Sequence, residues 1–168
     1  AIMNEGIIQI YYGEGHGKST AAIGNAIRCA SEGKSVIIIQ FLKGKNENEL
    51  AFLNRLEPEI KIFRFAKSDE SFEELSEQEQ QEEAMNLRNG FNYGKKVVTT
   101  AACDMLILDE VLGVIDEKVV APQEMQELFE NKPDDMTLIC TGRVLEDSIR
   151  PYADEIYNIA PEKIRIDE

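Results

Sequence analysis

Three observations predict a doubly wound α/β fold, a mostly parallel sheet of about six strands with helices on both faces. Short, nearly continuous apolar runs recur along the chain, as strands buried on both faces require. Patterns with helical spacing alternate with them. A glycine-rich stretch joins the first apolar run to the first helical pattern, and in a parallel sheet such turns gather on one rim.

Ile7 to Tyr11 reads as the first strand. The helix that opens at Lys18 ends near Glu32-Gly33, where glycine is the expected stop. Ser35 to Phe41 is the second strand, with Lys43-Gly44-Lys45 as a loop at its carboxyl end. From Asn48 to Leu56 the spacing of Leu50, Phe52, Leu53 and Leu56 fits a short helix that Pro58 closes. Ile60 to Phe65 alternates apolar and basic residues, as a strand nearer an edge does.

Asp69 to Glu83 holds eight acidic residues and no basic one. Its simplest reading is a solvated helix face with a flexible lead-in, and the functional alternative is a mobile lid over the site. Ser76 and Glu79 form a capping box, so a long helix starts there and runs to about Thr100. Cys103 to Glu110 is the next strand, apolar until it ends in Asp109 and Glu110. Pro122 to Glu130 resembles a short helix with Pro at its start. Thr137 to Thr141 is the fifth strand, followed by Gly142-Arg143. Leu145 to Tyr152 is read as a helix that Pro151 terminates or kinks, and Glu155 to Ala160 as a last short strand. The tail from about residue 161 is expected at the surface or disordered. No repeat or low-complexity linker interrupts the chain, so residues 1–168 are taken as one nucleotide-binding domain.

Composition bounds the function. A chain of 168 residues with 43% hydrophobic content can bury a core without disulfides or structural metal. Cys29, Cys103 and Cys140 are three in number, widely separated and set in apolar stretches, so they read as small buried hydrophobes and not as a disulfide or zinc framework. No apolar run approaches the roughly 20 residues that span a bilayer. Ala1-Ile2-Met3-Asn4 lacks the basic end of a signal peptide, and a cytoplasmic location is the expectation. A net charge of −14 disfavours nucleic acid and anionic membrane surfaces as partners. Phosphate binding therefore has to be local.

The local site is Gly13-Glu14-Gly15-His16-Gly17-Lys18-Ser19-Thr20. Alternate glycines let the backbone turn its amides inward, and the following helix aims its unpaired N–H groups and positive dipole end at the same point. Lys18 adds a movable charge and Ser19 a hydroxyl able to reach Mg²⁺. The usual phosphate loop has four residues between its first glycine and the glycine before the lysine, whereas Gly13 and Gly17 enclose three. Asp109 and Glu110 at a strand end supply the carboxylates that a magnesium-bound nucleotide needs. His16 is the only histidine, so a histidine general base has no other candidate, and His16 itself reads as an exposed loop residue or a phosphate neighbour.

Over nearly its whole length the chain resembles the P-loop ATP:corrinoid adenosyltransferases, which act on cob(I)alamin or cob(I)yrinic acid a,c-diamide. The resemblance rests on Gly13 to Ala22 with the shortened loop, Arg28, the string Val36 to Gly44, Leu106-Ile107-Leu108-Asp109-Glu110, and Thr141-Gly142-Arg143. It implies a P-loop NTPase fold of RecA-like type, ATP and a reduced corrinoid as substrates, Mg²⁺, a homodimer, and transfer of the 5′-deoxyadenosyl group of ATP to Co(I) with release of triphosphate. The nucleotide then lies reversed, with its γ-phosphate in the loop.

Carried over residue by residue, Gly13, Glu14, Gly15, His16, Gly17, Lys18, Ser19 and Thr20 line the triphosphate, and Arg28 lies near the ribose. Arg143 contacts phosphate or makes a structural salt bridge. Lys18, Ser19 and Glu110 carry catalysis, and Ser19, Asp109 and Glu110 form the metal side. Asp109 is either a direct ligand or a partner of one. The family commonly places a Phe and a Trp after the third strand, but this chain has no Trp, and Phe72 is the nearest aromatic. The alternatives are a RecA-like ATPase or nucleotide-gated binding module, which would hydrolyse the γ-phosphate, and a small-molecule kinase, which would form ADP.

Overall fold

Why the chain folds as it does is clearest in the sheet. The computed structural model describes residues 5–41, 51–65 and 72–166. Six parallel strands, β1 (Ile8–Tyr12), β2 (Val36–Gln40), β3 (Ile60–Arg64), β4 (Met105–Asp109), β5 (Thr137–Gly142) and β6 (Glu155–Asn158), lie in the order β3-β2-β4-β5-β1-β6. The sheet class and the edge position expected for β3 are both found. The crossover from β1 to β2 passes two intervening strands, β5 and β4. All carboxyl ends share one rim, with Tyr12 level with Gly142 and Gln40 level with Asp109.

Alternation along each strand sorts the apolar side chains into two layers. Ile37, Ile39, Leu106, Leu108, Leu138 and Cys140 face α2 (Glu77–Thr99), α3 (Val111–Asp116) and α4 (Pro122–Asn131). Val36, Ile38, Met105, Ile107 and Ile139 face α1 (Lys18–Ser31). On the first side Leu87 and Phe91 of α2 are wholly buried, each contributing about 2–3 kcal/mol by removal from water. On the other side α1 presents only Ala22, Ala26 and Cys29, small residues that let it approach the sheet closely.

The capping box forms as expected, with the Glu79 amide donating to Ser76 Oγ at 3.2 Å and the Ser76 amide donating to Glu79 Oε1 at 3.2 Å. Glu83 departs from the solvated acidic face: it is buried, one turn before Leu87 on the inward side of α2. Of the acidic run Asp69 to Glu83, whose alternative reading is a lid, residues 69–71 fall outside the described residues, as does the loop Lys43-Gly44-Lys45. Of the helix read over Asn48 to Leu56, residues 51–53 are helical and Asn54–Leu56 is a 3₁₀ turn.

Two further readings need correction. Leu145 to Tyr152 is not an α-helix: a 3₁₀ segment, Asp147–Tyr152, contains Pro151 and is capped by Glu146, whose carboxylate accepts from the Ser148 amide at 2.7 Å. Proline has no N–H to extend an α-helical ladder, and the tighter turn accommodates it. Glu110 does not end the β4 strand but leaves it with φ 68, capping α3, an element the sequence pattern did not reveal. The cysteines are free and buried, as expected of small hydrophobes; burial pushes the Cys103 thiol up to about 12 and raises that of Cys140 further. Residues 161–166 run along the surface.

Candidate active site

The loop from β1 to α1 is held by two neighbouring strand ends. Gly13, with φ 128, donates its N–H to the carbonyls of Gly142 (3.2 Å), the last residue of β5, and Arg143 (3.1 Å), just past it. The Gly15 amide donates to Ile159 O at 2.8 Å, and the Ile159 amide donates to Tyr12 O at 2.7 Å, so the end of β6 clasps the loop from both sides. A Cβ on Gly13 would stand 2.3 Å from Ile159 O, and one on Gly15 would stand 2.8 Å from it. Glycine is needed at both positions for this close approach. The expectation that all three glycines turn their amides toward a ligand therefore changes: those of Gly13 and Gly15 are engaged by protein carbonyls.

What stays open lies just downstream. Gly17 caps α1 with φ 104, and the amides of His16 and Gly17 have no backbone acceptor among the described residues. Lys18, Ser19 and Thr20 form the first turn of α1, whose N–H groups have no partner within the helix. Five consecutive amides, His16 to Thr20, thus sit at the positive end of a 14-residue helix. Lys18 folds over the loop and donates from Nζ to Gly15 O at 2.7 Å. His16 and Thr20 are exposed.

Across the rim, β4 and β5 present a cluster of side chains. Ser19 Oγ donates to Asp109 Oδ1 at 2.8 Å, and Thr141 Oγ1 donates to the same oxygen at 2.7 Å. Thr141 Oγ1 in turn accepts from the Glu110 amide at 2.9 Å. Asp109 and Thr141 are buried, and Glu110 is half-buried. The sequence alone assigns Thr141 no role; its signal, a hydroxyl near the end of the strand between β1 and β4, needs the strand order to be seen. Ile159 was missed as well, because it acts through its backbone N–H and C=O, which the side-chain pattern does not mark.

The remaining candidates separate. Arg143 Nε lies 3.7 Å from Glu14 Oε1 at the mouth of the loop; both side chains are about two-thirds exposed, so the pair is worth little in stability. Arg28 stands in the last turn of α1, ten residues past Lys18 and thus about 15 Å along the axis. It lines a groove with Glu32, Lys34 and Asp104 at the amino edge of the sheet, so the structure does not bring it to the loop.

Among the described residues no group of three or more His, Cys, Asp or Glu side chains could hold a metal. The donor set still fits Mg²⁺, which takes one or two carboxylates and completes its shell with phosphate and water oxygens. Asp109, Glu110 and the Ser19 hydroxyl beside the amide run are such a set.

Residues 4–168 match the family described as ATP:corrinoid adenosyltransferase BtuR/CobO/CobP. The chain belongs to that family. It is 29% identical over 162 residues to the corrinoid adenosyltransferase of Escherichia coli K12, covering 96% of this chain and 80% of that one. The corrinoid adenosyltransferase of Salmonella typhimurium is 30% identical with the same coverage. Among solved structures, a KaiC-like protein of Pyrococcus horikoshii superposes with a TM-score of 0.62 at 18% identity, covering 97% of this chain and 76% of that one. The flagellar accessory protein FlaH of Methanocaldococcus jannaschii gives 0.61 at 17%, covering 92% and 71%. These two likenesses concern the fold, which is of the RecA-like P-loop class.

Proposed function

We propose that this adenosyltransferase-family chain moves the 5′-deoxyadenosyl group of ATP onto the Co(I) of a reduced corrinoid. In that reaction the cobalt–carbon bond forms as the C5′–oxygen bond breaks, and the electron pair leaves with triphosphate. No proton changes hands, in keeping with a chain whose one histidine is exposed in the loop. The observation that carries the reading is the open amide run His16 to Thr20 at the start of α1, with Lys18 folded over it. The amides are held by the loop and the helix before the nucleotide arrives, so they stabilise the growing charge of the leaving triphosphate without reorganising.

Gly13 and Gly15 hold the loop in shape, while Glu14 and Arg143 flank its mouth. Ser19, Asp109 and Glu110 would hold Mg²⁺, which when bound supplies further charge neutralisation to the phosphates. Ser19 gives its proton to Asp109, leaving its oxygen lone pairs to face outward. For the corrinoid, Phe72, half-buried in the 3₁₀ turn Phe72–Glu74, is the aromatic nearest to the family's Phe and Trp positions.

The same reading makes the protein a cytoplasmic homodimer that takes small molecules and not nucleic acid, supported by the family and by the net charge of −14. No helix among the described residues is long and apolar enough to cross a membrane. Incubation with ATP, Mg²⁺ and chemically reduced corrinoid should yield an adenosylated corrinoid and inorganic triphosphate. Orthophosphate with ADP would instead favour a γ-phosphate hydrolase, and ADP formed only with an acceptor hydroxyl present would favour a kinase.

A further inference from the structure

We propose that Thr141 is a positioning residue that sets the two carboxylates at the end of β4 as one unit for the metal side of the site. The inference rests on the reading of that site as a magnesium–nucleotide centre. Thr141 is wholly buried on β5, the strand that separates β1 from β4. Its hydroxyl has one proton and gives it to Asp109 Oδ1 at 2.7 Å; its lone pair receives the Glu110 amide at 2.9 Å. A single side chain thereby fixes the rotamer of one carboxylate and the backbone of the next.

The backbone it fixes is unusual. Glu110 sits at φ 68, a region that a residue with a side chain rarely takes. In an extended conformation its side chain would continue the strand's alternation and leave the Asp109 side. The Thr141 bond to its amide holds the residue in the turn that opens α3. On the other partner, Asp109 Oδ1 accepts from both Ser19 and Thr141. That oxygen's two lone pairs are thus occupied, so on these two side chains Asp109 Oδ2 and the Ser19 lone pairs are what a cation or its water would meet. Supporting hydrogen bonds of this kind tune metal affinity by about 10- to 100-fold.

The test compares T141V, which keeps the shape and removes the hydroxyl, with T141S, which keeps the hydroxyl. Binding of inorganic triphosphate is measured by calorimetry without metal, and Mn²⁺ uptake in the presence of triphosphate is followed by electron paramagnetic resonance. T141V should bind metal-free triphosphate within about twofold of wild type, because the amide run and Lys18 are untouched, yet take up Mn²⁺ at least about tenfold more weakly. T141S should restore Mn²⁺ uptake to within about threefold. Equal loss of metal-free and metal-dependent binding in T141V would make Thr141 a general structural residue and overturn the proposal, as would T141S behaving like T141V. A wild-type protein that binds triphosphate with no Mn²⁺ uptake would overturn the metal-centre reading and this proposal with it, whereas normal wild-type uptake unmoved by T141V would overturn this proposal alone.

Discussion

The two strand ends that make the site are built from different materials. At the end of β1 the working groups are backbone amides, and side chains matter chiefly by their absence, as at Gly13 and Gly15 against Ile159. At the end of β4 the working groups are side chains, Ser19, Asp109 and Thr141, joined by hydrogen bonds of 2.7 and 2.8 Å. An amide run offers a fixed positive field to any phosphate. A carboxylate–hydroxyl cluster offers negative oxygen to a cation. Substitutions at the first end should therefore disturb anion binding through shape, and at the second should disturb cation dependence through chemistry.

Lys18→Ala removes the ammonium group that folds over the loop at the β1 end and should show the largest effect. Activity should fall by about a thousandfold or more, while the melting temperature without ligand shifts little, because among the described residues Lys18 bonds only to the loop carbonyl of Gly15. A large loss of thermal stability would place Lys18 in the scaffold and break the contrast.

Gly15→Ala comes next. Its Cβ would meet Ile159 O at 2.8 Å, so the loop or the end of β6 has to move. Triphosphate affinity should drop on the order of a hundredfold through lost charge-assisted bonds. Gly17→Ala sharpens the point: nothing lies within 4 Å of its Cβ, yet its φ of 104 makes an alanine strained, so about 1–2 kcal/mol of stability should be lost without a clash. Equal affinity losses in the two variants would contradict the clasp by β6.

At the β4 end, Asp109→Asn keeps an oxygen able to accept from Ser19 and Thr141 but removes the charge. Metal-free triphosphate binding should hold, and the Mg²⁺ concentration needed for half-maximal activity should rise about tenfold or more. A matching loss of metal-free binding would mean that the two ends are not separable.

The smallest effect should come from a site remote from both. Arg88 on α2 pairs with both carboxylate oxygens of Glu124 on α4, one at 2.8 Å, and the Glu124 carboxylate also accepts from the Ala121 amide at 2.8 Å. The hydrogen bonds from Arg88 hold the Glu124 carboxyl down to about 2, below its ordinary value of 4.5. A carboxyl so depressed stabilises the fold fully above about pH 4.5, and the contribution is lost as pH falls toward 2. With Arg88 more than a third exposed, about 1 kcal/mol is the expected size. Urea unfolding of Glu124→Gln should show that deficit at pH 7, and it should shrink below pH 4 with activity per folded molecule unchanged.

The same division explains what could be read in the chain beforehand. The β1 end is contiguous in sequence, so Gly17-Lys18-Ser19-Thr20 after an apolar run marked the passage from β1 into α1, and Ser76 with Glu79 marked the start of α2 through a local hydrogen-bond pair. The β4 end is assembled from three separate segments, and only the order β4-β5-β1 puts Thr141 beside Asp109. α3 escaped notice because Val111 to Asp116 is a short apolar turn whose start is set by the backbone of Glu110 and not by a capping side chain. Arg28 shares a helix with Lys18, but sequence proximity on a helix still means distance along its axis, and it lies at the far edge of the sheet.

The direction in which a bound nucleotide lies tests the central claim most directly. In a crystal of the protein with Mg²⁺ and ATP, the terminal phosphate should sit within hydrogen-bond distance of the Gly17, Lys18 and Ser19 amides, with the ribose C5′ turned out of the loop and open to approach. A terminal phosphate directed away from those amides, with the adenosine end against the loop, would contradict it.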